Sequence, residues 1–154
     1  MTGNYTCETP EDTFALGEKI GNEINAGDVL LLSGGLGAGK TLLTKGILNS
    51  LDFDIDDVTS PSFTLVNLYR TPKFDVYHID LWRLDDNSHV APAVGLDEIL
   101  SHGNAVVIIE WSEKLKKFSH TGRIINVSIE GDGEGPRQFT IDEFHYSKQL
   151  TTDS

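Results

Sequence analysis

Val29-Leu30-Leu31-Leu32-Ser33-Gly34-Gly35-Leu36-Gly37-Ala38-Gly39-Lys40-Thr41 is the stretch that decides how this chain folds. It begins as an apolar run suited to a buried strand, and its last eight residues spell G-x-x-x-x-G-K-[ST]. Leu43, Ile47 and Leu51 follow at i, i+4 and i+8, the spacing of one helix face. Strand, glycine loop and helix in that order form a phosphate cradle. The glycines let backbone N–H groups turn inward as an anion nest, and a side chain at Gly37 or Gly39 would obstruct that approach. The helix N-terminus adds partial positive charge and Lys40 a full one toward the β- and γ-phosphates. The Thr41 hydroxyl can ligate Mg²⁺. The loop residues Gly34, Leu36, Gly37, Ala38, Gly39, Lys40 and Thr41 therefore read as a nucleoside triphosphate site.

Outward from the loop, the chain reads as one unit over its 154 residues, long enough for one real core and too short for a second catalytic module. Thr9-Pro10-Glu11-Asp12 predicts a helix start, with Thr9 as N-cap and Pro10 at the first helical position. Leu16, Ile20 and Ile24 mark its buried stripe, and Asn25-Ala26-Gly27-Asp28 ends it. After an acidic loop, Asp52 to Asp57, two alternating strands are expected at about Phe63–Tyr69 and Phe74–Leu81. Their connection, Arg70-Thr71-Pro72-Lys73, is of hairpin length, so they should pair antiparallel. A short helix is expected near Leu96–Ser101. Ala105-Val106-Val107-Ile108-Ile109-Glu110 shows no alternation, as a strand buried on both faces of a parallel sheet would not. A closing hairpin, about Arg123–Glu130 and Gln138–Phe144, leaves a polar tail from about residue 145 to 154 that should fray. The expected class is α/β, a P-loop NTPase-like three-layer sandwich whose mixed sheet combines parallel core strands with antiparallel hairpins.

Charge and composition narrow the function. The net charge of −12 and only four scattered arginines (Arg70, Arg83, Arg123, Arg137) argue against free-standing nucleic-acid binding, which needs clustered cations. A single cysteine, Cys7, excludes a disulfide framework and suits a reducing compartment. The aliphatic run Val106–Ile109 is far too short to span a bilayer. A cytoplasmic location without membrane contact is the expectation.

A P-loop hydrolase needs an acid on the metal, and two acids end strands. Glu110 should emerge at the carboxyl edge of the sheet, where open α/β folds place ligands, and is the better metal-side acid, directly or through water. Asp80 closes Val76-Tyr77-His78-Ile79 and is the candidate for orienting the attacking water or sharing the Mg²⁺ shell. Thr59-Ser60-Pro61-Ser62-Phe63-Thr64 reads either as a switch loop on the γ-phosphate or as a turn with capping hydroxyls. The five histidines lack metal-ligand spacing; His78 suits packing better than proton transfer. Trp82 and Trp111, each beside a candidate acid, either stack on a base or fill the core.

These residues together resemble the TsaE (YjeE) family, the small bacterial ATPases of threonylcarbamoyladenosine synthesis on tRNA. The resemblance runs in order through Gly34 to Thr41, Ser60-Pro61-Ser62-Phe63-Thr64-Leu65, Tyr77-His78-Ile79-Asp80-Leu81-Trp82-Arg83-Leu84, Gly95-Leu96-Asp97-Glu98 and Ile109-Glu110-Trp111. Gly35 stands where the family usually has an acid, and Ser62 where it usually has threonine. The resemblance implies ATP and Mg²⁺ as ligands. It casts Lys40, Asp80 and Glu110 as catalytic residues, and Thr41, Glu110 and Asp80 as the metal side. It also implies adenine contacts from Thr9, Thr13, Gly135 and Arg137. The implied partner is a heterodimer of two sugar-kinase-like proteins, one carrying the transferase site. ATP hydrolysis resets that complex between rounds of transfer to adenosine 37, and tRNA is contacted through the complex. A small-molecule phosphotransferase and a nucleotide-dependent scaffold without significant turnover are the rival readings. A GTPase would need N-K-x-D and D-x-x-G elements, and neither string is present.

Overall fold

The computed structural model describes residues 1–35, 39–58, 65–82, 95–101, 103–115, 117–120, 122–131, 134–144 and 148–151. The loop residues Leu36, Gly37 and Ala38, the Thr59–Thr64 segment, Arg83 and Leu84 lie outside them.

The branched run becomes strand β2 (Val29–Ser33) at the centre of a seven-stranded sheet. β2 lies between β5 (Ala105–Glu110) and β7 (Ile124–Glu130), parallel to both, and β4 (Asp75–Asp80) adds a further parallel pair beside β5. All six residues of β5 are buried, as its unbroken apolar sequence requires. The hairpins extend the sheet on either side. β3 (Val66–Arg70) pairs antiparallel with β4. β8 (Arg137–Phe144) pairs antiparallel with β7, and β1 (Gly3–Cys7) pairs antiparallel with β8. The order is β1-β8-β7-β2-β5-β4-β3. The β3–β4 connection is Thr71–Phe74, one residue later than the sequence suggests, because Arg70 still pairs with Asp75. The Thr71 hydroxyl closes that turn by donating to the Phe74 carbonyl at 2.6 Å.

Helix α1 (Pro10–Glu23) starts as its capping signal predicts. The Thr9 hydroxyl accepts from the Asp12 N–H at 3.1 Å, and the Asp12 carboxylate accepts from the Thr9 N–H at 3.2 Å. Such a cap stabilises by about 1 kcal/mol. Leu16, Ile20 and Ile24 are buried against one face of the sheet, with Leu43, Ile47 and Leu51 from the region of α2 (Lys40–Ser50). On that face the strands contribute Leu30, Leu32, Val106, Ile108, Ile125 and Val127. The opposite face carries Val29, Leu31, Val107 and Ile109, covered in part by Leu96 of α3 (Leu96–Leu100) and by Leu115. The three layers are thus unequal, with the heavier helical layer on the α1/α2 side.

Three glycines set how α1 and α2 meet. A Cβ at Gly17 would overlap the Leu43 carbonyl oxygen, one at Gly46 the Phe14 carbonyl oxygen, and one at Gly21 the Ser50 hydroxyl. The helices therefore pack backbone to backbone, which fixes the spacing of their N-termini at one sheet edge.

Three strands, β1 and two further short ones, depart from the sequence expectation. β1 has no counterpart in it. The polar tail is not wholly frayed either: Lys148–Thr151 forms strand β9, antiparallel to β6 (Lys117–His120) in a separate two-stranded sheet. Short polar strands carry little periodicity, and partner pairing overrides that weak local signal.

Candidate functional site

Chain direction brings the site residues to one edge. β2, β4, β5 and β7 all end there, while β8 begins there and β1 ends beside it, since Cys7 pairs with Arg137. α1 and α2 both start at that edge, so two helix N-termini with their positive dipole ends face it.

At the centre, Gly39 caps α2 with φ +106°, the left-handed conformation that favours glycine. Lys40 opens the helix and is only 6% exposed. Its ammonium donates to the carbonyls of Gly34 at 2.6 Å and Gly35 at 2.9 Å, and lies 4.1 Å from the centroid of the Trp111 ring. Burial lowers the Lys40 pKa from its ordinary value, while Glu110, Glu113 and Asp80 oppose the shift by favouring the charged form. Three carboxylates are therefore close enough to feel the lysine. Of these, Glu113 is the one that sequence reasoning missed; it follows the strand end in a 3-10 turn, Ser112–Lys114.

Asp80 and Glu110 lie 30 positions apart in sequence yet are register partners at the ends of β4 and β5. Both are 3% exposed and project from the α1/α2 face of the sheet, on the same face as Leu32. Asp80 accepts from the Trp82 N–H at 2.9 Å through Oδ1. Glu110 meets His78, whose Nε2 bonds Oε2 of the carboxylate. His78 is fully buried, and its other ring nitrogen, Nδ1, has no partner among the described residues. The Ser112 hydroxyl donates to the Leu32 carbonyl at 3.3 Å, tying the turn after β5 to the strand that feeds the loop.

On the other side of the loop is a cavity of about 350 Å³. Thr9, Thr13, Gly135 and Arg137 line it with Gly39, Leu42 and Cys7. The start of α1 and the turn of the β7–β8 hairpin, the two regions that the resemblance singled out, are thus brought together beside the loop. Arg137 donates to the Gly135 carbonyl at 2.6 Å. Burial raises the Cys7 thiol pKa, Thr13 lowers it by a hydrogen bond, and nearby Asp12 raises it further. Cys7 carried no functional signal in the sequence, because only the β1–β8 pairing brings it here.

The two tryptophans differ in burial. Their rings lie 4.6 Å apart between centroids, tilted 34° to each other; Trp111 packs partly on the core, whereas Trp82 is 41% exposed. Trp111 has φ +61°, an uncommon conformation for a non-glycine residue, and this bends the chain sharply after Glu110.

The donor chemistry fits a triphosphate carrying a hard cation. Thr41, Asp80 and Glu110 offer oxygen, as Mg²⁺ requires. Among the described residues no group of three or more His, Cys, Asp or Glu could hold a metal ion. Two carboxylates with a hydroxyl suit Mg²⁺ that keeps waters and shares phosphate oxygens, better than a dedicated protein cage. No helix among the described residues is long and apolar enough to cross a membrane.

Comparison with known proteins matches residues 7–139 to the family model described as threonylcarbamoyl adenosine biosynthesis protein TsaE. The tRNA threonylcarbamoyladenosine biosynthesis protein TsaE of Mycobacterium tuberculosis is 40% identical over 125 residues, covering 75% of this chain and 73% of that protein. Its counterpart from Bacillus subtilis is 35% identical over 132 residues, covering 86% of this chain and 80% of that protein. The crystal structure of Bacillus subtilis YdiB superposes with a TM-score of 0.60 at 31% identity, covering 92% of this chain and 86% of that one.

Proposed function

The chain belongs to the TsaE family of threonylcarbamoyl adenosine biosynthesis proteins, and from that premise we propose that it is a slow Mg²⁺-dependent ATPase. In this reading it acts with a transferase heterodimer of two sugar-kinase-like proteins in the cytoplasm. Its hydrolysis resets that complex between rounds of tRNA modification at position 37, and tRNA is contacted through the complex. The observation that carries the reading is the linear site: cavity, loop lysine and paired carboxylates in sequence along one sheet edge.

Each residue then has a task. Thr9, Thr13, Gly135 and Arg137 hold the base and sugar in the cavity. The glycine loop and the α2 N-terminus take the phosphates. Lys40 exchanges the Gly34 and Gly35 carbonyls for the β- and γ-phosphate oxygens, a swap favoured because phosphate carries full charge and a carbonyl does not. Thr41 and Glu110 hold the metal, which supplies charge neutralisation and a template for the phosphates. Asp80, its Oδ1 fixed by the Trp82 N–H, orients the attacking water or shares the metal shell. The net charge of −12 supports the indirect contact with tRNA, since an acidic surface repels a polyanion.

The test is capture of partners from lysate by tagged protein with and without ATP, followed by reconstituted threonylcarbamoylation over several turnovers. ATP-dependent capture of the heterodimer, and modification that stalls after one round with Glu110→Gln, is the expected result. Nucleotide-independent capture, or full multi-turnover modification by that variant, would overturn it.

A further inference from the structure

Glu110 is 3% exposed, and a buried carboxylate needs compensation. Among the described residues its side chain makes one hydrogen bond, from His78 Nε2 to Oε2. The contact spans 32 positions and exists because β4 and β5 run parallel, with His78 paired to Ile108, one pleat below Glu110 on the same face. Bonding a carboxylate oxygen requires the proton to sit on Nε2. Nδ1 is buried without a partner among the described residues, and a second proton there would add an orphaned N–H on a charged ring, so the arrangement suits a proton on Nε2 alone.

We infer that His78 is a positioning residue: its Nε2–H pins Oε2 of Glu110 and thereby sets the orientation in which that carboxylate meets the metal at the γ-phosphate side. An imidazole N–H suits this task for a chemical reason. It satisfies one oxygen and fixes the rotamer without neutralising the carboxylate, so the full negative charge stays available to a divalent cation. An arginine or lysine in its place would compete with the metal. Histidine is also rigid beyond two torsions, and the Tyr69 ring lies 6.1 Å from its own, walling the imidazole in. Outer partners that orient a metal-side ligand change metal affinity by about 10–100-fold when removed. The inference rests on the proposed role of Glu110 at the metal.

The experiment compares His78→Leu, His78→Gln and Glu110→Gln with the wild-type protein, each checked for folding by circular dichroism. Calorimetric titration with ATP at a series of Mg²⁺ concentrations gives the Mg²⁺ level for half-maximal enhancement of binding. His78→Leu should raise that level by about 10-fold or more. His78→Gln, whose amide N–H can reach the same oxygen, should recover most of the loss. Binding of ATP in EDTA should be unchanged in both. In wild-type protein labelled with ¹⁵N-histidine, His78 should show a solvent-protected Nε2–H and a bare Nδ1, and Mg²⁺ with ATP should shift that signal more than ATP with EDTA. A folded His78→Leu with wild-type Mg²⁺ dependence, while Glu110→Gln alters it, overturns the inference and spares the Glu110 reading. Unchanged Mg²⁺ dependence in Glu110→Gln overturns the reading itself. If His78→Leu fails to fold, a proton on Nδ1 or an exchange-labile Nε2–H in the wild-type spectrum overturns the inference on its own.

Discussion

Replacing Gly46 by alanine sets two effects of opposite sign against each other. In an ordinary helix interior the change stabilises by roughly 0.5–1 kcal/mol, because glycine loses more backbone freedom on folding. At Gly46 the added methyl would lie 3.0 Å from the Gly17 Cα and overlap the Phe14 carbonyl oxygen, which is backbone and cannot rotate away. Comfortable carbon contacts are about 3.5–4.0 Å, so α1 and α2 would have to part by on the order of 1 Å. Overpacking of this kind costs about 1–3 kcal/mol, more than propensity returns. The net expectation is a loss of roughly 0.5–2 kcal/mol, read from equilibrium urea unfolding followed by circular dichroism. Function should suffer more than stability. The same displacement shifts Gly39 and Lys40, at the head of α2, against Thr9 and Thr13, at the head of α1. A misplacement of about 1 Å can cost on the order of 100-fold in rate, so turnover should fall well beyond the fraction unfolded. A Gly46→Ala protein at least as stable as wild type would refute the reasoning, because helix propensity would then outweigh the helix contact.

Three further outcomes are expected. Lys40→Ala, which removes the cation at the loop, should weaken ATP binding by about 10-fold or more, and equal calorimetric affinity would refute that role. Thr13→Val and Arg137→Ala should weaken ATP binding while leaving inorganic triphosphate binding nearly unchanged, since in the proposed role the base occupies the cavity they line beside Gly39; parallel losses for both ligands would move the base elsewhere. Asp80→Asn should retain nucleotide affinity and lose turnover, whereas Glu110→Gln should lose Mg²⁺ dependence of binding, and identical kinetic profiles for the two variants would erase the division of labour between them.

Much of this architecture was legible because its signals are local. The Thr9 cap with Pro10 and Asp12, the Leu16–Ile20–Ile24 stripe and the uninterrupted run of β5 each announce an element within one window of sequence. β1 went unread: Gly3–Cys7 is a short edge strand whose inward positions alternate with exposed Asn4 and Thr6, but only Tyr5 and Cys7 carry apolar side chains on that side, too few to announce a strand. Lys148–Thr151 looks like tail because its order comes from pairing with residues about thirty positions earlier. The glycines at 17, 21 and 46 read locally as helix weakeners, and only the opposing backbone explains them. A small-residue spacing of i, i+4 on α1 was the available signal. The carboxylate pair could be anticipated from two strand ends sharing one edge. The His78 contact could not, because it depends on which strands are neighbours and on their register.

The order of the strands also bears on the slow hydrolysis proposed for the isolated chain. An arginine finger can contribute 10³–10⁵ in rate, and it must reach the γ-phosphate. Arg123 precedes β7, at the edge opposite the loop, where it binds Asp28 at 2.5 Å and Glu143 at 3.0 Å. Arg70 ends β3, and because β3 runs antiparallel to β4, it too lies at that opposite edge. Arg137 is at the right edge but on the cavity side, separated from Asp80 and Glu110 by β7 and β2. Arg83, three positions after Asp80, lies outside the described residues. None of the three described arginines is therefore placed to neutralise charge on the carboxylate side, where Lys40 is the cation beside three acids. A cation delivered there by a docked partner would add what the described residues do not supply, so in the proposed role docking would couple to turnover through charge at the γ-phosphate side.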